Sequence, residues 1–290
     1  MCILFIAHQQ HHDYPLIIAA NRDEFYERPT APATFWDRHP HILAGKDLQA
    51  GGTWMGVTHN GAIAALTNIR APQHNNEDAQ TRGELVKQWL VQNPSHTMTN
   101  SCAWADKAIQ PRSPANTATM FPNSGSARSV NMFSKQLRQH RHLYNGYNLV
   151  FGYPHQLQVY NNYSDTLDTL AKGVFGLSNA DINTSWPKVE QGTRALSEYV
   201  KNATNIAPED LFAILRQDNK APDHLLPQTG VPHEWEKALS SIFITMPTYG
   251  TRTSTLVLVD NYGKLRWLER TFNTQGKTTH TNTFSFNISP

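Results

Sequence analysis

Residues 1–24, MCILFIAHQQHHDYPLIIAANRDE, decide the fold, because two apolar runs flank a polar segment. In the first run, Cys2 to Ala7, apolar side chains fall on both faces of a strand, which is typical of a strand covered on both sides. The second run, Pro15 to Ala20, leads directly into Asn21-Arg22-Asp23-Glu24. This pattern predicts a β-hairpin that brings the polar end of the second strand beside Cys2.

Outside this hairpin the pattern passes from strand to helix and back to strand. A second hairpin is predicted to turn at Asn60-Gly61, because Asn-Gly is a strong signal for a two-residue turn. The predicted strands are at 51–57, 61–67, 241–246, 251–259 and 264–271. One helix is predicted after a capping box at Thr81-Arg82-Gly83-Glu84, a second after an N-cap at Ser185, and a third at 208–217. We expect one layered α+β domain over residues 1–290, with a loop insertion at about residues 111–129.

Composition and charge exclude several classes of protein. The 290 residues include 25 basic and 23 acidic side chains, and a formal net charge of +2 gives no support for a nucleic-acid partner. Two cysteines, Cys2 and Cys102, make neither a disulfide framework nor a CxxC metal site. No stretch approaches the roughly 18 apolar residues that span a bilayer, and no secretory signal is recognised. We therefore expect a cytoplasmic protein without an integral membrane segment.

Cys2 is the first candidate for chemistry. Aminopeptidases generally remove an initiator Met before a small residue, so we expect Cys2 to become the first residue of the chain. Its α-amine, with an ordinary pKa of about 8, would then accept the proton of its thiol, with an ordinary pKa of about 8.5. The alternative interpretation is a small buried apolar residue.

Five further polar residues end or interrupt apolar strands. Arg22 and Asp23 would lie at the same sheet end as Cys2, where an Arg lowers the pKa of a thiol and a carboxylate orients an amine. Asn68 and Asn179 carry side-chain amides that can donate to an oxyanion, and Arg252 interrupts a late strand. The alternative for each is a residue of a turn, a cap or a solvated strand end.

Six groups of residues follow one another along nearly the whole chain. They are Met1-Cys2-Ile3-Leu4; Ala20-Asn21-Arg22-Asp23-Glu24-Phe25 with Arg28-Pro29; Ala44-Gly45-Lys46-Asp47 with Gly51-Gly52-Thr53-Trp54; Thr67-Asn68-Ile69-Arg70; Gly176-Leu177-Ser178-Asn179 with Trp186-Pro187-Lys188; and Tyr249-Gly250-Thr251-Arg252. In this order they resemble the NRDE family, the group that includes transport and Golgi organisation protein 2. That family in turn resembles the cysteine N-terminal-nucleophile (Ntn) hydrolases, such as penicillin V acylase and bile salt hydrolase.

The resemblance implies a four-layer αββα sandwich with Cys2 as the nucleophile. It matches Arg22 and Asp23 to the Arg and Asp of the next strand, although the hydrolases separate these two residues. It also matches Asn68 and Asn179 to the positions near the oxyanion, and Arg252 to a late Arg near the nucleophile. The implied function is hydrolysis of an amide or thioester bond in a small-molecule or amphipathic ligand, which requires no cofactor.

The resemblance also leaves two other functions open. The resemblance also implies haem trafficking, or lipid or acyl-CoA metabolism. The same pocket would then serve a carrier that binds haem or lipid as cargo and passes haem to acceptor proteins. His8, His11 and His12 are then candidate ligands, because haem iron is commonly held by His; an exposed polar loop is the other interpretation. The remaining alternative is a pseudoenzyme that keeps the site for structural reasons.

Overall fold

The computed structural model describes residues 2–94, 124–182 and 184–288, which contain thirteen strands and five α-helices. The strands are β1 (Cys2–His8), β2 (Leu16–Phe25), β3 (Thr30–Trp36), β4 (His39–Asp47), β5 (Met55–Thr58), β6 (Ile63–Asn68), β7 (Tyr147–Tyr153), β8 (Gln156–Asn161), β9 (Thr166–Thr169), β10 (Gly173–Leu177), β11 (Tyr249–Val259), β12 (Lys264–Phe272) and β13 (Thr278–Asn287). The helices are α1 (Gly83–Gln92), α2 (Ser124–His140), α3 (Pro187–Asn202), α4 (Pro208–Leu215) and α5 (His233–Ala238).

The strands form two antiparallel sheets. The first sheet has the order β10-β1-β2-β11-β12-β13, and the second runs in sequence order from β3 to β9. Both predicted hairpins are confirmed: β1 pairs with β2 so that Cys2 lies opposite Arg22, and β5 pairs with β6. Gly61 adopts a φ of +82° in the second turn, a conformation that favours glycine.

Three buried apolar clusters define four layers. One cluster fills the space between the two sheets, with Leu4, Ile18 and Val57 among its members. A second lies between the first sheet and helices α3 and α4, and a third lies between the second sheet and helices α1 and α2. Both faces of β1 are therefore covered, as its apolar sequence indicates. The predicted α+β fold and its αββα layer order are confirmed.

The local details differ from the predictions at both helix starts. Helix α1 begins at Gly83 and α3 at Pro187, and neither has a side-chain cap hydrogen bond, so the Thr81 and Ser185 caps are wrong. Tertiary contact holds the first turn of α1: Thr53 N donates to Gly83 O, and Gly52 packs so closely that a Cβ there would lie 2.5 Å from Gly83 C. Proline at the first position of α3 presets the helical φ without a cap.

Two other segments also differ. Residues 241–246 form a mostly buried, irregular segment instead of a strand: the Phe243 N–H donates to Gln217 O, and an isolated bridge joins Thr245 to Gly250 without extending into a ladder. Helix α2 begins at Ser124, inside the predicted loop insertion. The earlier part of that predicted loop, 111–123, lies outside the described residues, as does Cys102.

A buried carboxyl group links the two sheets. Glu269 on β12 is 1% exposed; its Oε1 accepts from Ala33 N on β3 at 2.7 Å, and its Oε2 accepts from Thr255 Oγ1 at 3.3 Å. Burial raises the pKa of Glu269 from 4.5 to about 7, because these hydrogen bonds only partly replace hydration of the charged form.

Glu269→Gln is expected to remove a pH-dependent loss of stability. The raised pKa means that the folded state binds the proton more tightly, so stability falls as pH rises through the window from 4.5 to about 7 and stays lower above it. The loss is about 2 to 4 kcal/mol at about 1.4 kcal/mol per pKa unit. Urea unfolding of both proteins between about pH 5 and about pH 8 measures the difference. Exposed Glu190→Gln is the control, and an unchanged pH slope in Glu269→Gln would contradict the expectation.

Candidate active site

Cys2 opens on a cleft at one end of the sheets. The cleft has a volume of about 490 Å³, and its lining includes Cys2, Arg22, Asp23, Asn68 and Arg70, together with several aromatic side chains. Cys2 is partly buried because it is the first residue of β1 and only its inner part is covered by the core between the sheets. The hairpin thus brings three of the predicted site residues, Cys2, Arg22 and Asp23, to one cavity.

Arg22 and Asp23 leave opposite faces of the first sheet, because successive side chains of a strand alternate. Arg22 faces the space between the sheets, where its guanidinium lies 4.3 Å from the centroid of the Trp54 ring. This is the face of Cys2, its cross-strand partner. Asp23 lies on the other face, the side of helix α3. Although Arg22 and Asp23 are adjacent in sequence, their side chains therefore lie on opposite faces of the first sheet.

The Arg22 side chain is fixed by packing more than by charge pairing. It is 5% exposed, and its Nη2 lies 3.8 Å from Glu24 Oε2. Its Nη1 is buried with no hydrogen-bond partner among the described residues. This arginine can therefore still donate to an acceptor that enters beside Cys2.

Asp23 is a buried carboxyl group at the cleft. Its Oδ1 accepts from Thr251 Oγ1 at 2.7 Å, directly across the β2–β11 pair. Burial raises the pKa of Asp23, while Lys188, Thr251 and Arg22 oppose this shift. Burial thus outweighs the nearby positive charges and favours the protonated form of this carboxyl group more than water would.

The Cys2 thiol does not behave as the neighbouring arginine alone would predict. Burial raises the pKa of Cys2 above the ordinary value of a thiol, and this effect exceeds the lowering by Arg22. A thiol with a raised pKa requires a base to form the nucleophilic thiolate at neutral pH.

Asn68 and Asn179 meet although they lie far apart in the sequence. Asn179 Nδ2 donates to Asn68 O at 3.1 Å and to Asn68 Oδ1 at 3.2 Å. Ser178 Oγ donates to Asn179 Oδ1 at 3.0 Å, so the Asn179 amide is engaged on both sides. Asn68 lines the cleft, whereas Asn179 is 1% exposed and lies behind it. The pair leaves the Asn68 Nδ2 group as the amide donor nearer to the cavity.

Arg252 is the extra residue of a β-bulge. The β2–β11 register passes from Thr251 opposite Asp23 to Thr253 opposite Arg22, and Arg252 is unpaired between them. Its Nη1 donates to the carbonyl oxygens of Phe25, Tyr26 and Arg28 at 2.8, 3.2 and 3.1 Å. These contacts hold the chain just after β2, at the rim of the cleft.

The three histidines lie outside the cleft lining. His8 Nδ1 is bonded to Ala171 O at 2.9 Å and is 2% exposed. His11 uses both ring nitrogens, one with Ala203 O and one with Asp13 N. His12 is exposed and lies with His11 and Asp13 in a group of ligand-capable side chains whose atoms are within 4.8 Å of one another. The haem prediction therefore still rests on the sequence alone.

Two buried cations at the site were missed from the sequence. Lys188, in the first turn of α3, is 2% exposed. Burial and the nearby Arg70 lower its pKa to about 7, although Asp23 and Cys2 oppose this shift. Arg70 lines the cleft and is 8% exposed. Both stand in motifs that carry the resemblance, Trp186-Pro187-Lys188 and Thr67-Asn68-Ile69-Arg70, and that was the available signal.

Comparison with solved structures finds enzymes of low sequence identity. A Caenorhabditis elegans N-acylethanolamine-hydrolyzing acid amidase ortholog is 12% identical, with a TM-score of 0.46 and coverage of 89% of this chain and 92% of that chain. A mutant conjugated bile acid hydrolase from Clostridium perfringens is 10% identical, with a TM-score of 0.41 and coverage of 100% and 94%. No helix within the described ranges is long and apolar enough to cross a membrane.

Comparison of sequences gives matches of higher identity. A transport and Golgi organization protein 2 homolog of Bos taurus is 33% identical over 293 residues, which cover 93% of this chain and 92% of the relative. The Homo sapiens homolog is 30% identical over 290 residues, with the same two coverages. The family model described as Transport and Golgi organisation 2 matches residues 1–274, so nearly the whole chain, including every residue of the cleft described above, belongs to that family.

Proposed function

We propose that this protein is a cysteine hydrolase of the Ntn type, which cleaves an amide or thioester bond by acyl transfer to Cys2. The observation that supports the proposal most is the position of Cys2, at the open end of β1, on the cleft and directly opposite Arg22. A buried cysteine with only a packing role would not need a cavity, a guanidinium with a free N–H and an amide donor around it.

The reaction begins once Met1 has been removed. The free α-amine of Cys2 takes the proton of the thiol, and the thiolate attacks the substrate carbonyl carbon. The C–N or C–S bond of the substrate then breaks, and the leaving amine or thiol takes the proton from the Cys2 ammonium group. Water hydrolyses the resulting thioester with the same amine as base, which releases a carboxylic acid and regenerates the thiol.

The surrounding residues supply orientation and charge. In the proposed mechanism Asn68 Nδ2 donates to the oxyanion, and Asn179 Nδ2, which donates to Asn68 Oδ1, orients the Asn68 amide. Arg22 stabilises negative charge on the Cys2 side of the sheet. Asp23 lies on the opposite face, where its carboxylate would orient the Cys2 amine. Arg252 is a positioning residue, because its guanidinium holds the backbone at the end of β2.

Intact-mass measurement with an acylating probe tests the proposal. The purified protein is expected to lack the mass of Met1 and to gain one acyl group on Cys2 after treatment with a thioester or activated amide. Peptide mapping locates the label, and Cys102 serves as an internal control thiol in the same chain. A protein that retains Met1 quantitatively, or that is labelled equally at Cys102, would contradict the mechanism.

A further inference from the structure

One edge of the Arg70 guanidinium is firmly held. Arg70 Nη1 donates to Glu236 Oε2 at 2.5 Å, and the Arg70 guanidinium carbon lies 4.8 Å from the centroid of the Trp186 ring. Glu236 is itself fixed, since its Oε1 accepts from Thr229 N at 2.9 Å and from Thr229 Oγ1 at 2.5 Å. The guanidinium therefore has a defined orientation at the cleft.

The other edge of this guanidinium lacks an acceptor in the part of the chain that the structure describes. Arg70 Nε and Nη2 are both buried and have no hydrogen-bond partner among the described residues. Their N–H groups lie in the guanidinium plane and point outward from the same edge, nearly parallel to each other, the arrangement that binds both oxygens of a carboxylate. Buried donors without partners are costly, and those retained in a native structure call for an explanation such as a ligand.

The same cleft has an aromatic wall. Phe25, Trp235 and Tyr249 all line it, with ring centroids 5.1 Å apart for Phe25 and Tyr249 and 5.7 Å apart for Trp235 and Tyr249. An apolar surface beside a few directed polar groups is the usual composition of a small-molecule site. The cleft thus suits a molecule with an apolar body and one charged end.

We infer that Arg70 is the receptor for a carboxylate at the far end of the substrate acyl group. The substrate class is then an amide or thioester of a dicarboxylic acid, whose reacting carbonyl lies at Cys2 while its second carboxylate binds Nε and Nη2 of Arg70. This inference rests on the proposed hydrolysis at Cys2 for the position of the carbonyl, but the contact with Arg70 is independent of turnover.

The surrounding charges favour a carboxylate over a phosphate. Glu236 already neutralises much of the Arg70 charge, and Asp23 also lies in its electrostatic field. A ligand with a single negative charge can accept both hydrogen bonds of the free Arg70 edge, whereas a dianion would also be repelled by the carboxylates of Glu236 and Asp23. Lys188 also lies close enough to interact with Arg70, Asp23 and Glu236, but burial lowers its pKa to about 7, so its positive charge offsets this repulsion only in part.

Three phenyl thioesters of matched length test the inference. They are the adipate monothioester, the same compound with its carboxylate capped as a methyl ester, and a phosphonopentanoyl thioester. We expect kcat/KM for the free carboxylate to exceed that for the methyl ester by about 10- to 100-fold, the range for hydrogen bonds to charged groups. A preference for the phosphonate over the carboxylate would overturn the assignment of the ligand as a monoanion.

Variants at Arg70 locate the preference. Arg70→Lys keeps a positive charge beside Glu236 but has no forked edge, so the carboxylate preference should fall to about threefold or less. Arg70→Gln combined with Glu236→Gln removes the pair without leaving a buried charge alone, and should have the same effect. Arg28→Gln removes an equal charge from the same cleft, but Arg28 is already bonded to Asp47 at 2.7 Å, so this variant should retain the preference.

A binding measurement separates this inference from the proposed function. Calorimetric titration of Cys2→Ala with the adipate thioester and its methyl ester should show the same preference without turnover, and Arg70→Lys in that background should remove it. If the wild type hydrolyses neither compound while the binding preference holds, the proposed hydrolysis fails and the carboxylate site stands. If hydrolysis occurs without any preference, the carboxylate site fails and the hydrolysis stands.

Discussion

Cys2→Ala is expected to abolish hydrolysis of the adipate phenyl thioester, with a loss in kcat on the order of 10³-fold or more. The physical reason is that Cys2 supplies both the thiol that carries the acyl group and the amine that moves its proton, and the described residues of the cleft lining include no second thiol. Alanine keeps an α-amine and the strand but cannot form the covalent intermediate. Release of thiophenol, followed spectroscopically, measures the rate.

Two further variants make this prediction sharper. Cys2→Ser keeps a nucleophilic atom but makes it a much poorer acyl acceptor, so it should retain only a small fraction of the activity and accumulate little acyl-enzyme. Cys102→Ala is the thiol control and should leave kcat unchanged. Thermal unfolding shows whether the Cys2 variants remain folded. Full activity in folded Cys2→Ala would overturn the mechanism, because another group would then carry out the hydrolysis.

Asn21→Ala is expected to be the most destabilising single change at the end of β2, at about 3 to 5 kcal/mol. Asn21 is 1% exposed, and its Nδ2 donates to Leu215 O at 2.8 Å and to Ile242 O at 2.9 Å, while Ser254 Oγ donates to its Oδ1 at 2.6 Å. Alanine leaves two buried carbonyls and a hydroxyl without partners. One of these carbonyls ends helix α4, where no intrahelical donor is available.

Unfolding in urea and by heat measures this effect. A loss of this size lowers Tm by on the order of 10 °C in a chain of this length. Ser254→Ala removes only one of the three bonds and should cost about 1 kcal/mol. Asn202→Ala is the matched control, because Asn202 is exposed and makes a single bond to Glu198 O; its change should stay within about 0.5 kcal/mol. A stability of Asn21→Ala within 1 kcal/mol of wild type would contradict the structural role.

The four residues Asn21-Arg22-Asp23-Glu24 show how far the sequence could be interpreted. Their position after an apolar strand correctly predicts a polar strand end beside Cys2. Alternation along the strand then assigns Arg22 to the face between the sheets and Asn21 and Asp23 to the helix side. The sequence does not show that Asn21 is a structural tie, because its partners at Leu215, Ile242 and Ser254 lie about 200 residues away.

The sequence by itself determined the hairpin, the two-sided burial of β1 and the α+β class, since these follow from the local periodicity of apolar side chains, and the family resemblance implied the αββα layer order. Only the tertiary structure decided which residues meet at the cleft. Asn68 and Asn179 are 111 residues apart, and Arg70 and Glu236 are 166 apart, so no local pattern relates them. Burial likewise depends on tertiary packing. The core between the sheets covers Cys2 and raises the pKa of its thiol, and the packing of helix α3 against the first sheet buries Lys188 and lowers its pKa to about 7.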